Sequence, residues 1–444
     1  MAVEAPIEHD RRWPAVSLAE IATKIGSGAT PKGGADAYLP TRERFALVRS
    51  QNVFDRRFDH TGLAFITDEQ ADGLRNVVLQ PADILLNITG DGITFGRACM
   101  VPKDVLPACV NQHVSIIRAD TRRADAGYVL AFLTHRAVKS YIESFNAGGS
   151  RRAVTKAHIE SFRLPLPPLP TQRAIAHILG TLDDKIELNR RMNETLEAMA
   201  RTLFKSWFVD FDPVRAKAEG RDSGLPKALA DLFPTRLFDS ELGHIPEGWE
   251  VKGLDEIARF LNGLALQKYP PVDGRSLPVI KIAQLRAGNT DSADRASADL
   301  EADYVVVDGD ILFSWSGSLE CILWTGGPGA LNQHLFKVTS EHYPRWLCYL
   351  GVCHHLADFR HIAAGKATTM GHIQRHHLSD AKLPVPPSTL LHAMTSFVGP
   401  MVECAWLRAV QSRTLMGLRD SLLPKLISGE LRVEDAEKFI GNTI

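Results

Sequence analysis

The sequence predicts an α+β protein made by tandem duplication. An α/β domain runs into a long helix, a second α/β domain runs into a second long helix, and the two helices pair as an antiparallel coiled coil. Three observations carry this. The stretch from Leu164 to Pro213 opens with a proline run and continues with apolar residues at heptad spacing. A series of short motifs from the first third of the chain returns in the same order beyond residue 246. A second heptad stretch follows the second series in matching phase.

The first long helix is the clearest element. LPLPPLP, ending at Pro170, forbids helix, and Thr171 stands where an N-cap belongs. The residues beyond it contain no proline until Pro213 and one glycine, Gly180. Ile175, Leu182, Leu196 and Leu203 fall on one seam row; Ile178, Met192 and Met199 fall on the other, with Lys185 and Asn189 as polar seam positions. The segment would be roughly 57 Å long at about 1.5 Å per residue, which suits a coiled-coil seam better than an ordinary domain helix.

Size and composition set the frame. A chain of 444 residues is too long for one core, so two or three domains are expected. Apolar residues make up 45% and charged residues 23%, as in a soluble globular protein. No apolar window reaches the ~18 residues of a membrane span, and MAVEAPIEHDRRW has no apolar signal core, so a cytoplasmic protein without membrane contact is expected. The six cysteines form no CxxC pair and read as reduced thiols. A formal net charge of -1 gives no global attraction to nucleic acid; any DNA surface has to be local.

The expected boundaries are 1–163 for the first domain, 164–213 for the central helical spacer and 214–245 for a polar connector. The second domain spans 246–383, the C-terminal helical spacer 384–432 and a tail 433–444. Trp249, Leu254 and Ile257 repeat the spacing of Trp13, Leu18 and Ile21. Pro278-Val-Ile-Lys281 echoes Ala46-Leu-Val-Arg49, and Asp310-Ile-Leu-Phe313 with Ser316-Gly317 echoes Asp83-Ile-Leu-Leu86 with Thr89-Gly90. Asn332-Gln333-His334 repeats Asn111-Gln112-His113, and Leu383-Pro-Val-Pro-Pro387 repeats Leu164-Pro-Leu-Pro-Pro168. Repeats of this length mean two copies of one module rather than a solenoid.

In the second helix Met394, Met401, Leu415 and Leu422 hold the row of Ile175, Leu182, Leu196 and Leu203, while Phe397 and Leu418 hold the other. Arg408 takes the place of Asn189, so both helices are polar at mid-seam, where such residues often fix register. Pro400 and Gly417 are expected to weaken or kink this helix. Each helix has one apolar stripe and no other partner in its own half, so the two should pair through Leu182, Asn189, Leu196, Leu203, Met401, Arg408, Leu415 and Leu422. Two similar readers joined by a spacer suit a long, periodic, pseudo-symmetric ligand. DNA is one, and a spacer of this length covers at most ~17 base pairs at about 3.4 Å each.

These residues resemble the specificity subunit of type I restriction–modification systems. The resemblance rests on the order of parts, the Leu-Pro-Leu-Pro-Pro-Leu lead-in, the Ile-Thr-Gly and Asn-Gln-His turns, and the Trp-Phe-Val-Asp-Phe-Asp-Pro-Val exit at 207–214, and it covers essentially the whole chain. It implies two target-recognition domains, each reading half of a split site in double-stranded DNA. It also implies helical regions that space them and dock two copies of the modification (methyltransferase) subunit, with S-adenosylmethionine bound by those partners and restriction (motor–nuclease) subunits joining the complex. The specificity subunit is not itself catalytic and needs no cofactor of its own. Where the family often has Glu-Gln after the proline run, this chain has Thr171-Gln172 and Leu390-Leu391, so the second helix is the divergent one.

The chemistry-bearing motifs agree with a non-catalytic reading. The chain has no [DN]-P-P-[YF] loop for a target amine, and Tyr269-Pro-Pro271 runs in the wrong order. Gly26-Ser-Gly-Ala-Thr-Pro-Lys32 lacks the second glycine and the hydroxyl of a phosphate loop. Asp183-Asp-Lys185 fits [DE]-x-K but lies on the helix. Cys348, Cys353, His354, His355, His372, His376 and His377 fit no zinc spacing, and Cys348 and Cys353 read as core. The competing readings are a free-standing DNA methyltransferase or nuclease, and a tandem protein-binding adaptor.

Candidate DNA contacts come from loops that differ between the copies. Ser150, Arg151, Arg152 and Lys156 make a basic loop after Gly148, matched by Lys366, Thr368 and Thr369. Arg49, Ser50, Gln51 and Asn52 follow a strand, matched by Lys281 and Gln284. Asp91 and Thr94 follow the glycine turn, matched by Ser316 and Ser318. Asn111, Gln112, His113, Asn332, Gln333 and His334 can either close a turn or contact DNA; a triplet kept in both copies, when the halves should read different bases, favours the turn.

Overall fold

The structure is a computed structural model that describes residues 7–10, 12–90, 94–144, 152–365 and 371–441. It divides into two compact units, one formed by Met1–Glu187 with Leu415–Ile444 and the other by Leu188–Thr414. Each long helix therefore gives one half to each unit.

In the first unit, a four-stranded antiparallel sheet runs in the order Ala22–Ser27, Val114–Ala119, Ile84–Asn87, Ala98–Met100. A second sheet places Phe45–Val48 parallel to Ala108–Val110 and antiparallel to Ala64–Ile66. A third, small sheet pairs Ala15–Ser17 with Arg163–Pro165, so the strand that begins the domain lies against the strand that leaves it for the long helix.

The second unit reproduces this plan. Its antiparallel sheet runs Arg259–Asn262, Leu335–Thr339, Ile311–Ser314, Cys321–Leu323. Ser276–Ile280 lies parallel to Gly329–Leu331 and antiparallel to Arg295–Ser297, and Glu250–Gly253 pairs with Lys382–Val385. The shared strands keep the same order and direction, with Val305–Val306 added beside Gly329–Leu331 in the second unit, so the two units are copies of one module. This is the α+β tandem duplication that the motif order predicts.

The first long helix spans Leu169–Phe208 and the second Ser388–Ser428. The first begins two residues before the expected cap, Thr171. Pro170 falls in the first turn, where its missing N–H costs nothing. Pro400 and Gly417 do not interrupt the second helix.

In each unit the halves of the two helices pack antiparallel. The first unit buries Ile175, Ile178, Leu179 and Leu182 with Leu415, Leu422, Leu423, Leu426 and Ile427. The second buries Ala200, Phe204, Trp207 and Phe208 with Leu391, Met394, Val398 and Val402.

The heptad pattern fails in part. Met199 and Phe397, expected in the seam, are exposed, and Leu196, Leu203 and Met401 are only half-buried. The buried row runs Leu182, Asn189, Ala200, so one step has eleven residues rather than seven. A straight α-helix has 3.6 residues per turn and drifts about 20° per heptad; an eleven-residue step restores the face. Asn189 also does not meet Arg408. Its Nδ2 donates to Gln411 Oε1 (2.9 Å) and Ser412 Oγ (3.3 Å), whereas Arg408 turns to Cys404 on its own helix. Equivalent positions in a duplicated sequence are not contact partners once the two copies run antiparallel.

The stretch 214–245, expected as a polar connector, carries its own secondary structure. It holds helices Asp212–Ala218 and Lys227–Ala230 and a hairpin of Leu237–Ser240 with Gly243–Pro246. Leu229, Phe233 and Ile245 join the core of the second unit beside Trp207 and Trp249. Lys217 Nζ donates to the carbonyls of Ala230 (3.2 Å), Asp231 (3.1 Å) and Phe233 (2.6 Å). The polar composition of this stretch conceals a few well-placed apolar anchors.

Candidate nucleic-acid interface

Three segments meet at one end of the first unit's main sheet. Strand Ile84–Asn87 runs into the turn Ile88-Thr89-Gly90. Arg152–Ala153 pairs with that turn, Arg152 opposite Gly90 and Ala153 opposite Thr89, and Val154 N donates to Ile88 O (2.9 Å). Asn111-Gln112-His113 lies alongside, with Ile88 N donating to His113 O (3.0 Å). The glycine turn, the Asn-Gln-His triplet and the strand that follows the basic loop thus form one surface. Gly90 has no room for a side chain, since a Cβ would come within 2.4 Å of Thr94 Oγ1 and 2.9 Å of the Phe95 nitrogen.

Inside this surface the amides are structural. Asn111 is buried; its N–H donates to Val48 O (3.0 Å) and its Oδ1 accepts the His113 N–H (3.0 Å). Asn87 is buried, and its Nδ2 donates to Ser50 O (2.9 Å) and Thr94 O (3.0 Å), tying the 49–52 turn to the glycine turn. Gly28 N donates to Asn111 O (3.1 Å), and a Cβ on Gly28 would stand 1.7 Å from Val110 O. On the outer side, the Thr30 hydroxyl donates to Gln112 Oε1, and Thr89 Oγ1 hydrogen-bonds His113 Nδ1 (2.6 Å).

The second unit builds the same surface from a different sequence. Trp315 N donates to His334 O (3.3 Å), Ile373 N to Trp315 O (3.0 Å) and Asn332 N to Ile280 O (3.3 Å). Asn332 Oδ1 accepts the His334 N–H (3.3 Å), and Ser316 Oγ hydrogen-bonds His334 Nδ1 (3.0 Å). Gly263 plays the part of Gly28: a Cβ there would lie 2.3 Å from Asn332 O. Trp315 Nε1 adds bonds to Asn262 Oδ1 (2.9 Å) and Gln333 O (3.2 Å).

Among the expected DNA contacts, Gln51 is exposed and Ser50 half-buried, and Gln51 Nε2 donates to Gly62 O (3.3 Å). Arg49 also reaches Gly62 O and stacks over Tyr38 at 5.3 Å. Asn52 is not a reader. It is fully buried, its Nδ2 donates to Asp59 O (2.9 Å) and Thr61 O (3.2 Å), and its Oδ1 accepts the Arg49 N–H (3.1 Å). Gln284 acts likewise in the second unit, accepting the Lys281 N–H (3.2 Å). Lys281 pairs with Asp294 on the surface, and Lys156, exposed, pairs with Glu160 (3.4 Å). Ser316 is buried as the partner of His334; Ser318 is exposed. Thr94 supplies the carbonyl that Asn87 grips. Asp91, Ser150, Arg151, Lys366, Thr368 and Thr369 lie outside the described residues, as does the side chain of Arg152. Sequence reasoning missed Gly28, Gly263, Asn87 and the hydroxyl of Thr89. The one available signal was the hydroxyl kept at 89 and 316 on equivalent glycine turns.

This duplicated surface has a known setting. Residues 13–198 and 246–390 match the family described as type I restriction modification DNA specificity domain. The chain belongs to that family. It is 24% identical over 438 residues to the type I restriction enzyme HindI specificity subunit of Haemophilus influenzae, covering 87% of this chain and 94% of that protein. It is 26% identical over 325 residues to the MjaIX specificity subunit of Methanocaldococcus jannaschii, covering 69% of each. The crystal structure of a type I restriction-modification S subunit from M. genitalium shares the fold, with a TM-score of 0.56, 12% identity and coverage of 96% of this chain and 99% of that one.

The chain is therefore a DNA sequence-specificity subunit, a non-catalytic component of its system, and a free-standing methyltransferase or nuclease is not favoured. Asp183 of the [DE]-x-K motif is engaged by two arginines, Arg56 Nη1 at 2.6 Å and Arg419 Nη1 at 2.7 Å, which makes it a packing anchor. Among the described residues no three metal-ligating side chains converge, and Cys348 is core. No described helix is long and apolar enough to cross a membrane.

Proposed function

We propose that the two units read the two halves of a bipartite site in double-stranded DNA, and that the paired helices set the gap between those halves. The observation that carries this is the duplicated surface: the same turn, triplet and returning strand stand at the same sheet end in both units, while the loops around them differ in sequence. Shared parts suit docking on a shared backbone, and divergent parts suit the reading of different bases.

The helices also suit attachment of modification subunits. Leu188, Met199 and Leu407 are exposed by 50%, 46% and 53% on helices that bury most of their apolar seam. Met199 lines an open apolar groove with Ala198, Leu203 and Met401. In this reading two modification subunits dock on the helices and bring S-adenosylmethionine for adenine methylation, and motor–nuclease subunits join them for restriction.

The test is insertion of one heptad into each helix, beside Asn189 and beside Gln411, followed by methylome sequencing in a host that supplies the partners. Seven residues at about 1.5 Å lengthen the spacer by ~10 Å, or about three base pairs. The gap should grow while both half-sites keep their bases. Altered half-sites with an unchanged gap would sink the proposal.

A further inference from the structure

We infer that the Asn-Gln-His turn of each unit is a phosphate clamp: His113 with Gln112, and His334 with Gln333, hold one DNA phosphodiester oxygen per half-site. The inference rests on the bipartite-site reading above and adds which residues grip the backbone and how they are aimed.

In both units the asparagine is spent on the turn, since its Oδ1 takes the histidine N–H. The imidazole is held from behind by a hydroxyl on the glycine turn, Thr89 in one unit and Ser316 in the other. The residue changes between copies but the hydroxyl stays. When that hydroxyl donates to Nδ1, the proton of the neutral ring sits on Nε2, making it a donor at the outer edge.

The glutamine completes the pair. In the second unit Gln333 Nε2 lies 3.4 Å from His334 Nε2. With the ring proton on Nε2 the two nitrogens are both donors and can share a single oxygen at about 2.9 Å; with the proton on Nδ1, Gln333 Nε2 donates to His334 Nε2 instead, so an arriving acceptor selects the first form. In the first unit the Thr30 hydroxyl occupies Gln112 Oε1 and leaves the amide Nε2 as the outward group. Each triplet thus offers N–H donors without a carboxylate.

Repetition decides what the donors are for. Two halves of a split site differ in bases, so a triplet retained in both copies on the same support is unsuited to reading bases. The phosphodiester oxygen is the acceptor common to every sequence, and contacts to it fix orientation without carrying sequence information. The clamp would set each unit at the same height on the duplex, so that the divergent loops meet the groove.

The test uses the full complex, this chain with its modification subunits, and DNA bearing single neutral methylphosphonates at each position of both half-sites. His334→Ala should weaken binding to cognate and random DNA by the same factor, about tenfold, and leave base preference unchanged. One methylphosphonate position in the second half-site should cost the native complex a similar factor and cost the variant nothing further. His113→Ala should show this only in the first half-site.

His334→Gln, which keeps an Nε2 donor, should recover most of the loss. If the alanine variants prove unfolded by circular dichroism, Ser316→Ala with the glutamine variant carries the same comparison. An altered base preference, or methylphosphonate costs that add fully to the variant's, would overturn the clamp while the bipartite reading stands. Absence of any split, sequence-dependent binding by the native complex would instead overturn that reading.

Discussion

Nδ2 of Asn189 donates to Oε1 of Gln411 at 2.9 Å, in the middle of an otherwise apolar helix pair, and Asn189 is 2% exposed. A buried amide bonded across the seam favours one axial alignment, because any slip leaves the buried Asn189 amide without its partner. Replacing Asn189 by Leu should cost about 0.5–1.5 kcal/mol, the net worth of its bond across the seam, since Gln411 is exposed and can turn to water and Ser412 Oγ keeps its bond to Arg408 O (2.9 Å). Replacing Asn189 and Gln411 together by Leu should restore much of that stability. Hydrogen exchange along 188–208 reads the difference; additive losses in the double variant would show that the two amides do not act as a pair.

Asp183 anchors the first unit in a comparable way. It accepts from Arg56 (2.6 Å) and Arg419 (2.7 Å), and the Arg56 side chain is only 8% exposed while its Nε donates to Thr134 Oγ1 (2.7 Å). Asp183→Ala leaves a buried guanidinium without its counter-charge and should cost about 3 kcal/mol. Asp183→Leu combined with Arg56→Met should cost less than Asp183→Ala alone. Proteolytic susceptibility of the 415–428 segment measures both. The [DE]-x-K pattern that drew attention to Asp183 in the sequence thus marks a packing anchor.

How far the sequence could be read follows from which physical signals are local. The duplication was legible because motif order survives divergence, and the antiparallel pairing because each helix carries a single apolar stripe. The seam itself was misread beyond Asn189: a strict heptad puts Met199 inward, whereas the straight helix turns it out and brings in Ala200. At the candidate interface the Asn-Gln-His triplets and glycine turns were visible as repeats. Asn52 was not legible as a structural residue, because its partners, Asp59 and Thr61, become neighbours only when the loop closes. Gly28 and Gly263 escaped notice for a related reason: what forbids their side chains is a carbonyl brought up by a distant strand.

The second unit should carry an acid-sensitive anchor. Asp308 accepts two bonds of 2.7 Å from Arg413, whose guanidinium also reaches Thr325 O. Burial alone would raise the Asp308 pKa, but the Arg413 bonds and the Gly327 N–H outweigh it and hold the carboxyl below its ordinary value. A carboxyl depressed by folding adds stability above its unfolded pKa, and that stability fades as pH falls through the lower folded value. Denaturation midpoints of the second unit should therefore drop on acidification below about pH 4. Arg413→Gln should lower the midpoint at neutral pH and flatten the drop; an unchanged slope would show that another carboxyl controls it.

Cysteine reactivity offers a test of packing in the same unit. The Cys353 thiol is held below its ordinary pKa by its hydrogen bond with the Cys321 side chain, which outweighs burial, helped by Arg201 at 4.0 Å and by Tyr349. It also lines a cavity of about 570 Å³. Burial pushes Cys109 and Cys348 up to about 11. At pH 7.5 a small alkylating agent should therefore modify Cys353 before Cys99, Cys109 and Cys348, as read by peptide mass spectrometry. Arg201→Gln should slow that modification, because the guanidinium helps hold the thiol low.

The close approach at Gly263 makes the last prediction specific to one half of the molecule. Alanine there puts a Cβ 2.3 Å from Asn332 O and 2.6 Å from Leu331 O, both backbone atoms that cannot swing aside. The strand end must then move off the Asn332-Gln333-His334 turn, and the hydroxyl–imidazole bond between Ser316 and His334 loses its alignment. Gly263→Ala should reduce recognition of the second half-site by tenfold or more, roughly the ~1–3 kcal/mol of one good base-reading pair, and leave the first half-site intact. Gly28→Ala should do the reverse. Binding to DNA in which each half-site is scrambled in turn separates the two. Equal loss at both half-sites from either variant would mean that the turns do not act independently in their own units.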